Sequence, residues 1–167
     1  MIREISTDSD IRLIAKMAQE IWHEAFSGII TEEQICYMVD KFQSYHAMKD
    51  QIENQGYTYF IISKDGNDAG YCGVQTRDDN SLYLSKMYLL KEARGHRLFE
   101  QMTNHLTQLC RDKGISRIWL TVNKHNDRAI AAYLKNGYRN IRSQTTDIGN
   151  GFVMDDYVFE LNICNQE

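Results

Sequence analysis

A β-rich run ending in Met87-Tyr88-Leu89 is followed by a basic, glycine-marked turn, a helical stripe and a second β-rich run, and no other stretch restricts the fold as tightly. The stripe is Phe99, Met102, Leu106, Leu109 and Cys110, one face of a helix predicted over Gly95 to Asp112 and closed by Gly114. Ile115 to Asn123 is the second run. Strand, helix, strand at this spacing is a crossover, and a crossover joins parallel strands. The turn between them, Arg94-Gly95-His96-Arg97-Leu98-Phe99, enters the helix from its N-terminal end, where N–H groups and the positive end of the dipole favour anions such as phosphate.

The flanking segments predict the rest of the sheet. Ile2 to Ile5 is a short alternating strand. Thr7-Asp8-Ser9-Asp10 offers N-caps ahead of apolar positions 11, 14, 18, 21, 22 and 25, one face of a helix. Thr31 with Gln34 reads as a capping box before Ile35, Met38, Val39 and Phe42, and a further helical piece around Met48 and Ile52 stops near Gly56. Tyr57–Ser63, Ala69–Arg77 and Ser81–Leu89 are strands separated by Asp65-Gly66-Asn67 and Asp78-Asp79-Asn80, an antiparallel meander. Asn126 to Asn136 is a short helix stopped by Gly137, and Tyr138–Thr145 pairs with Phe152–Leu161 around Gly149-Asn150-Gly151.

Composition removes several classes of function. A chain of 167 residues, 43% apolar, can build one ordinary core, and residues 1–167 are expected to form a single domain. Cys36, Cys72, Cys110 and Cys164 show no C-x-x-C pairing, so they read as separate reduced thiols. The five histidines have no metal-ligand spacing, and no nucleophilic Ser or Cys motif is present, so no metal is expected. No apolar run approaches a membrane span, and the first residues lack a signal-peptide core; the cytoplasm is the expected address. Residues 1–85 carry 7 Lys/Arg against 14 Asp/Glu, and residues 86–167 carry 12 against 9. An acidic half beside a basic half suits a cationic acceptor beside an anionic cofactor, and the net charge of −4 argues against nucleic acid as a partner.

Taken together, the crossover, the turn from Arg94 and the series Asn126, Ala129, Tyr133, Gly137-Tyr138 resemble the GCN5-related N-acetyltransferase (GNAT) superfamily. The tail from Thr146 to Val158 is similar to the PaiA-type branch, linked to spermidine and spermine. The resemblance implies an α/β (α+β) fold: a mixed, mostly antiparallel sheet of six to seven strands, about four helices and a splayed central parallel pair. It implies acetyl-CoA as co-substrate, a small-molecule amine as acceptor, and a monomer or homodimer. It also implies direct attack of the amine on the thioester. A non-catalytic acyl-CoA-binding module remains an alternative reading, as do a protein N-terminus, a lysine, an amino acid or an aminoglycoside as acceptor.

Residue by residue, the resemblance places Met87 and Leu89 beside the pantetheine arm, and Arg94, Gly95, Arg97, Leu98 and Phe99 at the diphosphate. Arg97 and Phe99 depart from it, standing where glycine and glycine or alanine let the backbone close on phosphate. Arg97 could offset its loss through a charge-assisted contact, and Phe99 also lies on the helix's own apolar stripe. Asn126 matches a residue that bonds the pantetheine region, and Tyr133 matches the proton donor to the coenzyme sulfur. These two are seven residues apart, about 700° of rotation and ~10.5 Å of rise, hence on one face. Without the resemblance they would read as an N-cap and an interfacial tyrosine. Trp22, Phe26 and Tyr37 are candidates for the acceptor groove, and Glu24, Asp147, Asp155 and Asp156 for an ammonium partner or base.

Overall fold

Residues 1–163 are described by the computed structural model. Cys164 lies outside them. Seven strands form one sheet in the order β1-β2-β3-β4-β5-β7-β6. They are β1 (Ile2–Glu4), β2 (Tyr57–Lys64), β3 (Asn67–Arg77), β4 (Ser81–Leu89), β5 (Arg117–Asn123), β6 (Arg139–Gly149) and β7 (Phe152–Asn162). The expected mixed sheet is present: β1/β2, β2/β3, β5/β7 and β6/β7 are antiparallel, and β4/β5 is the parallel pair. The β4/β5 ladder runs only from Ser81↔Arg117 to Tyr83↔Trp119, so it ends well before β4 does.

Among the described residues five α-helices accompany the sheet: α1 (Asp8–Phe26), α2 (Glu32–Met38), α3 (Tyr45–Asn54), α4 (Leu98–Lys113) and α5 (Asp127–Lys135). Among the described residues no helix is long and apolar enough to cross a membrane. The chain forms two compact units, one made of Met1–Gln75 with Lys86–Met102, the other of Thr76–Ser85 and the chain from Thr103 onward.

In the first unit, Thr7 caps α1 by accepting from Asp10 N, and Asp10 bonds back to Thr7 N, a reciprocal capping box. Thr31 and Ser44 do the same accepting duty for α2 and α3. The β2/β3 hairpin turns on Asp65 and Gly66, both at positive φ (51° and 83°), the type I′ geometry that matches strand twist. Ile14, Ile35, Met48, Ile61, Ile62, Tyr71 and Cys72 are fully buried in its core.

The apolar spacing of the second helical segment predicts Phe42 inside with Ile35 and Met38, but Val39–Gln43 is a π-helical turn. Its wider winding delays the inward position by one residue. Gln43 is buried at 3% exposure in place of Phe42, and its Oε1 accepts from Tyr71 OH at 2.9 Å. In the second unit, Leu106, Ile118, Leu120, Tyr138, Phe159 and Leu161 make the core, the β5 and β7 residues alternating inward as paired strands require.

Candidate functional site

The first unit presents β4's last residues, the following turn and the start of α4. Helix α4 begins at Leu98 rather than Gly95, because Gly95 and Arg97 take positive φ (80° and 60°), outside the helical region. Arg97 thus adopts the left-handed conformation for which glycine is the usual choice, and the turn keeps that shape without the glycine. Its guanidinium grips Glu100 (Nε–Oε2 2.9 Å, Nη2–Oε1 2.7 Å), with the Arg97 side chain 77% exposed. The buried anchor of α4 is Leu98; Phe99, expected on the buried stripe, is only half-buried.

Arg94 is held within the first unit. Its guanidinium makes a two-point bond to Glu24 of α1 (3.0 and 2.5 Å) and donates to the Leu89 carbonyl at 3.3 and 3.2 Å. These contacts fasten the turn to α1 and to the end of β4. Glu24, a candidate base from the sequence, is the partner in that pair. Met87 and Leu89 are half-buried on β4. Gly70 on β3 lies so close to this strand end that a Cβ there would run into the Tyr88 carbonyl oxygen and come 2.7 Å from Leu89 Cδ2.

Trp22 and Phe26 stack at 4.4 Å between ring centroids, Trp22 meets Tyr88 at 5.6 Å, and Tyr88 meets Tyr71 at 5.5 Å. Trp22 and Phe26 are buried, so both belong to the core of this unit behind Tyr88. Tyr37 sits apart on α2, its hydroxyl accepting from Lys41 Nζ at 3.0 Å.

Under α3 lies a residue that the motif reading passed over. Lys86, 3% exposed, donates to Gln51 Oε1 at 2.8 Å, and the hydroxyl of Tyr59 donates to the same oxygen. The rings of Tyr57 and Tyr59 lie 5.2 and 5.4 Å from the ammonium nitrogen. Burial pushes the Lys86 pKa down to about 7, the thiol of Cys72 acting weakly the other way. The alternation Leu82, Leu84, Lys86 already put this lysine on the inward face of β4; that was the available signal.

In the second unit, Asn126 caps α5, its Oδ1 accepting from Ala129 N at 3.2 Å. Its side-chain carbonyl thus serves the helix, leaving the NH₂ as the group able to donate elsewhere. Tyr133 is buried, its ring edge-on to Tyr138 (5.2 Å, 72°) and to Phe159 (6.2 Å, 87°). Asp147 Oδ1 accepts from Gly149 N at 2.8 Å and shapes the β6/β7 turn.

Of the paired aspartates in β7, Asp155 is held by Lys124 Nζ at 2.5 Å and accepts from Thr145 Oγ1, contacts that keep its pKa low. Asp156 differs in kind. It is 5% exposed, its Oδ1 has no hydrogen-bond partner, and burial followed by the nearby Asp155 charge raises its pKa to about 6.

The family model of the Acetyltransferase (GNAT) family matches residues 16–138. An uncharacterized N-acetyltransferase of Mycobacterium tuberculosis is 28% identical over 152 residues, 89% of this chain and 96% of that protein. A spermidine N(1)-acetyltransferase of Thermoplasma acidophilum is 23% identical over 157 residues, 92% and 94% of the two chains. The crystal structure of PaiA N-acetyltransferase from Thermoplasma acidophilum in complex with coenzyme A superposes with a TM-score of 0.80 at 21% identity, covering 97% of this chain and 98% of that one. The family match takes in β4, the Arg94–Phe99 turn, α4, β5 and α5, the same elements whose geometry is described above, and the chain belongs to the acetyltransferase (GNAT) family.

Proposed function

We propose that this protein transfers the acetyl group of acetyl-CoA to the nitrogen of a primary amine, and that residues 1–167 act as one catalytic domain. The observation carrying this reading is the turn before α4. It keeps positive φ at Gly95 and Arg97, although Arg97 has a side chain, so the backbone shape suited to a diphosphate is retained at an energetic cost. Acetyl-CoA, when bound, supplies the activated thioester. The N-terminal end of α4 would hold its diphosphate, and backbone N–H groups near Leu89 would polarise the carbonyl.

Asp156 is the proposed base. An aliphatic ammonium has a pKa near ~10, so its proton must leave before attack, and a buried carboxylate raised to about 6 can take it through water. Tyr133 is the proposed acid that protonates the departing thiolate.

A polyamine is the proposed acceptor, supported by the spermidine N(1)-acetyltransferase among the relatives and by Asp156 as a buried acidic group. Steady-state turnover of a panel of amines tests it. Spermidine and spermine should be acetylated with a lower KM than a monoamine of equal length, and Asp156→Asn should abolish the acid limb of the pH–rate profile near pH 6. No turnover of any polyamine would remove this acceptor and leave family membership untouched.

A further inference from the structure

Three side chains that the sequence scatters over α1 and α2 meet at one point in the first unit. His23 Nδ1 lies 2.7 Å from Glu32 Oε1, and Cys36 Sγ lies 3.9 Å from the same oxygen. The three ligand atoms all fall within 4.8 Å of one another. In sequence they show no metal-ligand spacing, because the chain must turn between the two helices to bring His23 beside the Glu32/Cys36 pair. Glu32 and Cys36, four residues apart, then share one face of α2.

We propose that His23, Glu32 and Cys36 form a binding site for a borderline divalent transition ion, Zn²⁺ by preference. Imidazole, carboxylate and thiolate together are a donor set suited to zinc and poorly suited to calcium or magnesium, which take oxygen ligands. Tetrahedral zinc with bonds of about 2.0 to 2.3 Å separates neighbouring ligand atoms by roughly 3.3 to 3.7 Å. The His23–Glu32 contact must therefore open by somewhat under 1 Å and the Cys36–Glu32 contact close by a few tenths of an ångström.

The surroundings of His23 and Cys36 leave room for a fourth ligand. His23 and Cys36 also line a surface groove of about 390 Å³, with Gln19, Asp40 and Ser44 along it. The groove admits water as a fourth ligand, the arrangement of an open zinc site with three protein donors. On coordination Cys36 releases its thiol proton to solvent and Glu32 exchanges its contact with His23 for the metal. The ion then ties the C-terminal end of α1 to α2 across residues 27–31. Trp22 and Phe26, the stacked pair flanking His23, sit on the tied end of α1.

Cobalt is the probe, since a thiolate bound to Co²⁺ gives a near-ultraviolet charge-transfer band and tetrahedral geometry gives intense visible bands. Tag-free protein, kept reduced, is titrated with CoCl₂ and then with ZnCl₂. The expected result is saturation at one Co²⁺ per chain, loss of the bands on adding Zn²⁺, and a higher melting temperature with Zn²⁺. Cys164→Ser should leave the bands unchanged, Cys36→Ser should remove the charge-transfer band, and His23→Gln and Glu32→Gln should each weaken Co²⁺ binding at least tenfold. Cys36, Glu32 and His23 are exposed or half-exposed, so these variants retain the fold, which circular dichroism checks. No band in the wild type, or a band that survives Cys36→Ser, overturns the site.

Discussion

Residue 97 gives a prediction whose size follows from the backbone alone. Its φ of +60° is sterically costly for any residue with a Cβ, by roughly 1–2 kcal/mol. Arg97→Ala and Arg97→Gly both lose the contact with Glu100, so that contribution cancels when the two are compared. The glycine variant relieves the strain but adds freedom to the unfolded chain, which costs about 0.4–1 kcal/mol. Arg97→Gly should therefore be more stable than Arg97→Ala by about 1 kcal/mol. For a chain of this length that is a melting-temperature difference of roughly 2–4 °C. Differential scanning calorimetry of the two variants in one buffer measures it, and titration with coenzyme A should show Arg97→Gly binding at least as tightly as Arg97→Ala. Equal melting temperatures, or a more stable alanine variant, would mean that residue 97 is not left-handed and that the turn before α4 has another shape.

Lys86 should leave a signature in the pH dependence of stability. It deprotonates near pH 7 in the native state and near 10.5 when unfolded, so between those values the unfolded state holds more protons and stability rises with pH, by up to about 1.4 kcal/mol per unit. Lys86→Met should flatten that rise in urea titrations from pH 7 to pH 10; an unchanged slope would show that Lys86 stays charged where it is buried. Gly70→Ala should destabilise by about 1–3 kcal/mol because its Cβ collides with the Tyr88 carbonyl and the Leu89 side chain, and a neutral effect in the same titrations would deny the close approach of β3 to the end of β4. Tyr133→Phe should lower the single-turnover acetyl-transfer rate by ~10²–10⁴ at equal coenzyme saturation, with coenzyme affinity nearly unchanged. Indistinguishable chemical-step rates would make Tyr133 a packing residue between Tyr138 and Phe159.

The sheet was legible in the sequence because its signals are local. Period-two runs marked β2, β3 and β4, the Asp65-Gly66 pair marked a hairpin, and the Gly114 stop marked the end of α4, all within about two residues of the observed bounds. What escaped depends on partners distant in sequence. The π-helical turn that buries Gln43 in place of Phe42 is joined to Tyr71 on β3, and nothing within α2 announces it. The pairing of Arg94 with Glu24, seventy residues away, has no local signal either. The Asp155-Asp156 pair looks uniform in sequence, yet strand alternation gives one to Lys124 and buries the other. In the same way Asn126 was recognisable as a helix cap from its position, whereas its carbonyl's commitment to Ala129 N limits what else it can bond.

Acetyl transfer itself is tested most directly by incubating the protein with acetyl-CoA carrying a ¹³C-labelled acetyl group and a mixture of primary amines, spermidine included, and analysing the products by mass spectrometry. Mass detection avoids thiol reagents, which would also modify the exposed Cys36. The expected result is a labelled N-acetyl amine formed in equal amount to free coenzyme A, and only while protein is present. An intact thioester after prolonged incubation with every amine, with no product above the protein-free control, would contradict the assignment of this chain as a working N-acetyltransferase.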